Sequence, residues 1–504
     1  VTRYDSNDHL FMSGPLLGLL LEAVGRVSPL ECPEAAVYGY GALKFLTMNS
    51  ALCTRLLSRG VLELLTLHMM LIVNEVEENG SVAQQTAYAL VQLTATLRHV
   101  SSCERTFPKL LQCGTVTQVC RLLPAFKDDA DVTANLARIL SIVSTQPECC
   151  EAAAKHPATL PACVALLKAH SKHPAIVVRI AYALGNMMAR DDEARYQLFC
   201  VPDFTETILS LLTEYLKQDR ESQAAPDPLC PTNASPEDVM VKVVRVLANV
   251  AVEPRVGPVL ARSKTCQQLL VSLLQHKSVT ESEELVLSCF ATLNNLSFYS
   301  RHGPPGAIHT DLAQCLSEMV PMDHVEGLVE AVRVFGNLTH FKEVRDILTK
   351  NQVVEVLVEM LDCDSRELVY VCSGVLVNIM SDASRRAIFQ HENGVLRMVE
   401  VLQYFGCGDW QLCSLSCQVL WNYCASAADV HSALGSQETT RLVAVLDALL
   451  DEGSQYLPAS EEDHDPEMQL AYQLWEDFAR VATKLLDRIE DTNALPLLPP
   501  DGQQ

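Results

Sequence analysis

The 504-residue sequence predicts an all-α fold, a solenoid of stacked helices. An apolar helix phrase with one polar slot keeps returning, around Asn186 (YALGNMMA), Asn249 (RVLANVAV), Asn295 (ATLNNLSF), Asn337 (RVFGNLTH), Asn378 (GVLVNIMS) and Asn422 (QVLWNYCA). Upstream the slot is altered, at Phe45 (GALKFLTM), Gln92 (YALVQLTA) and Ile139 (NLARILSI). These nine positions are separated by 47, 47, 47, 63, 46, 42, 41 and 44 residues, and a period in the forties marks a helical repeat array. Composition agrees: 49% of residues are apolar but only 6% aromatic, which suits helix-on-helix packing rather than a β-sandwich.

Between successive slot-bearing helices the text holds two shorter helices, so each unit is read as three. The middle helix follows a Gly or a polar break and carries Leu pairs at helical spacing, as in Gly60-VLELLTLHMML, Gly114-TVTQVCRLL, Asn351-QVVEVLVEML and Gly394-VLRMVEVLQ. A short first helix precedes it, as in CTRLLSRG and VRDILTKNQ. Asn or Gly at the junction is expected to adopt the left-handed conformation that ends one helix and turns the chain.

Two stretches break the period. The 63-residue step contains Lys217 to Asp238 (KQDRESQAAPDPLCPTNASPED), rich in Pro, Ser and charge. It is expected to be a mobile loop between a second and a third helix. Ser300 to Thr310 (SRHGPPGAIHT) stands where a first helix belongs. Its Pro-Pro-Gly text cannot continue a helix, so a change of direction is expected there. After Leu450 an acidic stretch leads to a helix over about Met468 to Glu490, with Leu474, Trp475, Phe478, Val481, Leu485 and Ile489 on one stripe, expected to cap the last repeat. The organisation expected is 1–14 as an N-terminal lead-in, 15–216 as the first half of the repeats, 217–238 as the insertion, 239–450 as the second half, 451–467 as an acidic linker, 468–490 as the capping helix and 491–504 as a tail.

The recurring three-helix text resembles the armadillo-repeat family. The RxxIxxxGxIxxLVxLL and ALxNLS phrases of that family stand here as RDILTKNQVVEVLVEML followed by VLVNIMS, and the match covers roughly residues 33 to 445. HEAT repeats share the period but have two helices. The resemblance implies a right-handed superhelix of about nine to ten repeats whose third helices line a concave groove. It implies that Asn186, Asn249, Asn295, Asn337, Asn378 and Asn422 hold an extended partner by its backbone, since an amide offers one acceptor and two donors. A competing reading has each Asn bond to the neighbouring third helix and keep the stack in register.

In import adaptors of the family a Trp one turn before each ladder Asn forms pockets for Lys. Here those positions are Tyr182, Arg245, Ala291, Arg333, Gly374 and Gln418, so nuclear-signal binding is not expected. Some members grip acidic ligands with basic rows; Arg245 and Arg333 would contribute to such a grip locally and Arg190 would extend it, unless these are only solvated surface charges. Within the family, the SNDHLFMSGPLLGLLLE text and the irregular middle unit are most similar to a protein of motile cilia and sperm flagella. That implies a scaffold that assembles or docks axonemal complexes, radial spoke or central apparatus, with axonemal or ciliary-transport subunits as partners and a cytoplasmic, axonemal location. The runner-up is a cytosolic or nuclear adaptor for signalling or transport, or a regulator of a GTPase.

The remaining features exclude more than they identify. A formal charge of −24 argues against nucleic acid or an anionic membrane surface as partner. The longest apolar runs, Pro15 to Val24 and Val61 to Val73, fall short of the ~20 residues of a membrane helix, so no insertion is expected. The 19 cysteines include no CxxC pair and read as small core residues in a reducing compartment. Cys407, Cys413, Cys417 and Cys424 cluster, but without zinc-knuckle spacing, so packing is expected rather than metal. No phosphate loop, GxSxG or HExxH sequence occurs; no enzyme activity, cofactor or small-molecule substrate is expected. The absence of an initiator Met suggests the ordered part of a longer protein, with targeting information in a region beyond this sequence.

Overall fold

In a computed structural model the described residues are 2–103, 106–224, 234–300, 307–406, 408–427, 429–451 and 466–490. All secondary structure among them is helical. The chain divides into two compact units, residues 1–269 and 270–504.

In the first unit five long helices are the third helices of successive repeats: α1 (Pro33–Leu46), α2 (Gln84–Ser101), α3 (Ala130–Val143), α4 (Pro174–Met188) and α5 (Pro236–Ala251). Each packs on the next, α1 on α2 through α4 on α5. Between α1 and α2 lie Ser50–Ser58 and Val61–Asn79, and the same pair recurs before α3 (Phe107–Gln112, Thr115–Ala125), before α4 (Pro147–Lys155, Thr159–Ala169) and before α5 (Asp192–Cys200, Phe204–Ala224). The junctions turn as the text suggests: Gly60 and Gly114 have φ of 88° and 73°, a region open to Gly at little steric cost. Caps start the helices. Asn49 accepts from the Ala51 and Leu52 amides, and Ser235 with Asp238 forms a reciprocal capping box before α5, a device that contributes about 1 kcal/mol. Leu43, Leu90, Leu93, Leu136, Leu140, Ile180, Leu184, Val243 and Leu247 are buried between the layers.

The second unit stacks α6 (Glu283–Ser300), α7 (Val325–Leu338), α8 (Arg366–Met380), α9 (Trp410–Cys424) and α10 (Pro466–Glu490), each on the next. Before α8 come Lys342–Lys350 and Val353–Glu359, before α9 Arg386–His391 and Gly394–Phe405, and before α10 Val430–Leu434 and Ser436–Leu450. The left-handed residue after Lys342–Lys350 is Gln352, φ 58°, rather than Asn351; after Arg386–His391 it is Asn393, φ 55°. The helix at the C-terminus is more than a lid, because α10 occupies the third-helix place of the last repeat. Phe478, Ala482 and Leu485 are fully buried, the Trp410 and Phe478 rings stack at 5.5 Å, and Trp475 Nε1 donates to the Leu449 carbonyl at 3.0 Å.

Three boundaries differ from the sequence reading. The helix Phe204–Ala224 runs eight residues into the stretch expected to be a loop from Lys217. Its polar text still forms helix because Lys217 pairs with Glu221 at 3.9 Å and Gln218 donates to Glu214 at 2.9 Å, one turn apart. The expected loop ends early as well, since α5 begins at Pro236; residues 225–233 lie outside the described set. Of the Ser300–Thr310 break, only 301–306 lies outside the described residues: Ser300 ends α6, a helix spans Ala307–Met319, and α6 and α7 still pack together. The linker from 452 to 465 and the tail from 491 are likewise outside the described residues.

Among the described residues no single helix is long and apolar enough to cross a membrane. The pair Ser50–Ser58 and Val61–Asn79 reaches the length only jointly, bent by 73°, with Leu52, Leu56, Leu62, Leu65 and Ile72 fully buried in the first unit.

Candidate protein-binding site

The ladder amides reach from one third helix to the one before it. Asn186 Nδ2 donates to Ser144 Oγ at 3.0 Å and Asn249 Nδ2 to the Gly185 carbonyl at 2.9 Å. Asn378 Nδ2 lies within reach of the Gly336 carbonyl, 3.1 Å, and Thr339 Oγ1, 3.0 Å. Asn422 Nδ2 donates to the Val377 carbonyl at 2.9 Å. Asn337 is the most heavily engaged, with Nδ2 3.0–3.2 Å from the carbonyl and Oδ1 of Asn294 and from Ser297 Oγ. The rule is a donor to the carbonyl one residue before the preceding slot, or to a hydroxyl two residues after it. Asn295 is half-buried like the others. These five rungs each tie two repeats, so the amide donors are not all available to hold a partner by its backbone.

The same bonds correct two slots. In α2 the rung is not Gln92 but His99, whose Nδ1 stands 3.2 Å from both the Lys44 carbonyl and Thr47 Oγ1, one before and two after Phe45. In α3 the slot is Ile142, since Ser144, two residues later, receives Asn186; Ile139 is fully buried whereas Ile142 is half-buried like every other slot. Asn135, two turns earlier in α3, supplies an extra rung, with Nδ2 3.2 Å from the Val91 carbonyl and from Thr94 Oγ1. The Asn-Leu pair inside TANLARIL was the available signal for it.

Oδ1 of Asn186, Asn249, Asn337, Asn378 and Asn422 accepts no hydrogen bond among the described residues, and all five side chains are partly exposed. The ladder therefore presents acceptors, suited to N–H groups of a docked chain.

Four of the five predicted groove residues of the first unit converge, and Asn249 does not line the cavity they form. Tyr182, Asn186 and Arg190, from α4 and the turn after it, line with Arg245 of α5 one cavity of about 730 Å³. The aliphatic stem of Arg245 lies over Gly185, where a Cβ would stand 4.0 Å from its Cγ and Cδ. The carboxylates in the cavity wall are already engaged: Glu151 with Lys155, Asp192 with Arg195, Glu193 with Arg255 at 3.1 Å, and Asp191 as the cap accepting from the Ala194 amide. Arg190 and Arg245 are exposed and have no ion pair among the described residues. Cys150 on the same wall has its thiol pushed up to about 11 by burial, with Arg190 pulling the other way; it stays protonated. Arg333, expected to grip acidic ligands in the second unit, is instead held between Glu330 and Glu367. Those neighbours neutralise it, so it does not join such a grip.

The cysteine cluster in α9 is core. Cys413 Sγ lies 3.5 Å from the Gly406 carbonyl, Cys417 is fully buried with its thiol pushed well up, and burial raises Cys424 to about 12. Cys407 lies outside the described residues. Among the described residues no group of His, Cys, Asp and Glu has metal-binding geometry.

Three-helix repeats stacked through their third helices, with amide rungs and a polar cavity along them, define a helical-repeat protein of the kind that serves as a scaffold for protein interactions. The chain belongs to the armadillo-repeat family: it is 32% identical to armadillo repeat-containing protein 2 of Homo sapiens over 97% of its own length and 57% of the relative's, and 32% identical to the Mus musculus protein of the same name over 98% and 58%. The chain thus spans under two thirds of the length of these curated relatives. No family model matches it. The crystal structure of an engineered protein shares the fold at a TM-score of 0.61 and 17% identity, covering 94% of this chain and 99% of that one.

Proposed function

We propose that this chain is a non-enzymatic scaffold that docks several proteins in the assembly of axonemal complexes, radial spoke or central apparatus, in motile cilia and sperm flagella. The resemblance of the SNDHLFMSGPLLGLLLE text and the irregular middle unit to a protein of motile cilia and sperm flagella supports the axonemal part of the reading. The observation that carries the docking part is the cavity of about 730 Å³ on the first unit, where Tyr182, Asn186, Arg190 and Arg245 meet and neither arginine has an ion pair among the described residues. An open Asn acceptor beside two available guanidinium groups fits a peptide backbone flanked by acidic or carbonyl groups. Affinity isolation from ciliated tissue, with the native chain and with Arg190→Glu/Arg245→Glu, tests it. Recovery of axonemal subunits by the native chain, reduced by the double variant, is the expected outcome. Enrichment of nuclear cargo or of small GTPases would move the protein to a signalling, transport or regulatory role.

A further inference from the structure

We propose that Ser426, in the turn after α9, is a phosphorylation site, and that its phosphate is held by Arg386 and Arg488 and clamps α10 to the repeat before it. A recurring device sets the position. An arginine near the start of a first helix donates to the carbonyls that end the third helix before it, and a carboxylate four residues after the next Asn slot answers its charge. Arg195 Nε donates to the Met188 carbonyl at 2.6 Å and Nη2 to that of Ala189 at 3.0 Å. Glu253 stands four residues after Asn249, and Arg255, with Arg195 behind it, holds its carboxyl below the usual carboxylate range. In the second unit Arg345 Nη1 donates to the Thr339 and His340 carbonyls at 2.8 and 3.0 Å, and its Nε lies 3.7 Å from Asp382, four residues after Asn378.

Arg386 repeats the device with a hydroxyl in place of the carboxylate. Its Nε donates to the Met380 carbonyl at 3.3 Å and its Nη1 to Ser426 Oγ, and Ser426 stands four residues after Asn422. A second guanidinium comes from α10, where Arg488 Nη2 donates to the Ala427 carbonyl at 3.0 Å. Arg386 and Arg488 are half-buried, and neither has an ion pair among the described residues. Both charges act on one spot: burial raises the Cys424 thiol to about 12, and the two arginines pull it the other way. Asp429, three residues beyond Ser426, is engaged as a helix cap and accepts from the Ser432 amide at 3.1 Å. Ser426 itself is exposed, within reach of an enzyme.

The modification is phosphoryl transfer from a nucleoside triphosphate by a protein kinase. Ser426 Oγ forms a bond to the γ-phosphorus, the bond from that phosphorus to its bridging oxygen breaks, the nucleoside diphosphate leaves with the electron pair, and the hydroxyl proton passes to a base of the kinase. Phosphoserine carries about −1.5 to −2 charges and three acceptor oxygens near neutral pH, enough for both guanidinium groups, each of which can grip phosphate through paired N–H bonds. Arg386 starts the helix Arg386–His391, Ser426 follows α9 and Arg488 lies on α10, so one phosphate ties three elements together.

Translation that inserts phosphoserine at position 426 tests the clamp without a known kinase. The phosphate is expected to raise the melting temperature of the second unit by about 2–4 °C and to slow proteolysis within Pro466–Glu490 about tenfold. In an Arg386→Gln/Arg488→Gln background it should change neither. Phosphorus NMR reads the contact with no arginine replaced: a free phosphoserine loses its second proton near pH ~6, and arginines on the dianion bring that lower. Equal stability with and without the phosphate, a second proton lost at the free value, or the same gain in the arginine double variant overturns the clamp. Peptide mapping of the chain isolated from its own tissue with phosphatases inhibited should find Ser426 phosphorylated, and recovery of that peptide in unmodified form alone overturns the site. None of these readouts involves a docked partner, so the scaffold reading stands or falls separately.

Discussion

An Asn side chain on a repeat helix can face a partner or face its neighbour, and at Asn337 the count of acceptors decides. Nδ2 has three oxygens at 3.0–3.2 Å, two on Asn294 and one on Ser297, more than its two N–H groups can satisfy fully. The Asn294 carbonyl also accepts from the Ser297 hydroxyl at 2.9 Å, so removing the amide leaves chiefly the half-buried Asn294 Oδ1 without this donor, which costs about 1–2 kcal/mol. Asn337→Ala should therefore lower the urea midpoint of the second unit with the m-value unchanged. An unchanged midpoint would mean the rung adds nothing to repeat stacking. The rungs also show what residue identity conveys. Where the slot is Asn followed by an apolar residue, as at Asn186, Asn249 and Asn378, the position is legible from text. His99 carries the same bond with a different side chain and Ile142 carries none, so matching apolar phrases alone slid to Gln92 and Ile139. The three equal steps of 47 residues came from that slippage.

Element boundaries followed a different logic. The stripe of α10 is readable because Leu474, Trp475, Phe478, Val481, Leu485 and Ile489 sit at helical spacing against polar text; Trp475, Phe478, Leu485 and Ile489 are buried together with Ala482, while Leu474 and Val481 flank them half-buried. The helix Phe204–Ala224 outruns its apolar text because polarity alone does not end a helix: its first part buries Phe204, Ile208, Leu212 and Tyr215, and pairs such as Lys217 with Glu221 support the polar end beyond them. That α10 completes the last repeat, rather than lying loosely over it, has a measurable consequence. Phe478 is fully buried and stacked on Trp410, so Phe478→Ala removes a ring from the α9–α10 interface and costs about 3–5 kcal/mol. Repeat arrays transmit stability between neighbours, so the loss should first free α10. Limited proteolysis is expected to cut within Pro466–Glu490 in the variant well before any other helix, and cleavage at the same rate as in the native chain would place α10 outside the folded stack.

At the scale of the whole molecule, the charge balance and the buried imidazoles act in opposite directions as pH falls. With 62 acidic against 38 basic residues, protonation of histidines lowers the net negative charge and relieves self-repulsion, a long-range effect that salt screens. The local effect persists in salt. His68 is buried against the Tyr40 hydroxyl, 2.6 Å from Nδ1, and burial pushes its pKa below 6.5. His99 is lowered by burial and then by Arg98, against the Lys44 carbonyl that holds its N–H, and His156 by burial and Arg121. A group with a depressed folded pKa binds protons more readily when unfolded. Its contribution is therefore complete above about pH 6.5 and is lost as pH falls from there through the folded value. In moderate salt the melting temperature should hold between pH 8 and 7 and then drop by about 2–4 °C for each kcal/mol lost as pH approaches 5.5. His68→Gln, which keeps a hydrogen-bond acceptor for Tyr40 but cannot titrate, should flatten part of that drop. A melting curve that rises on acidification in moderate salt, or an identical slope in His68→Gln, would show that the neutral imidazole does not stabilise the first unit.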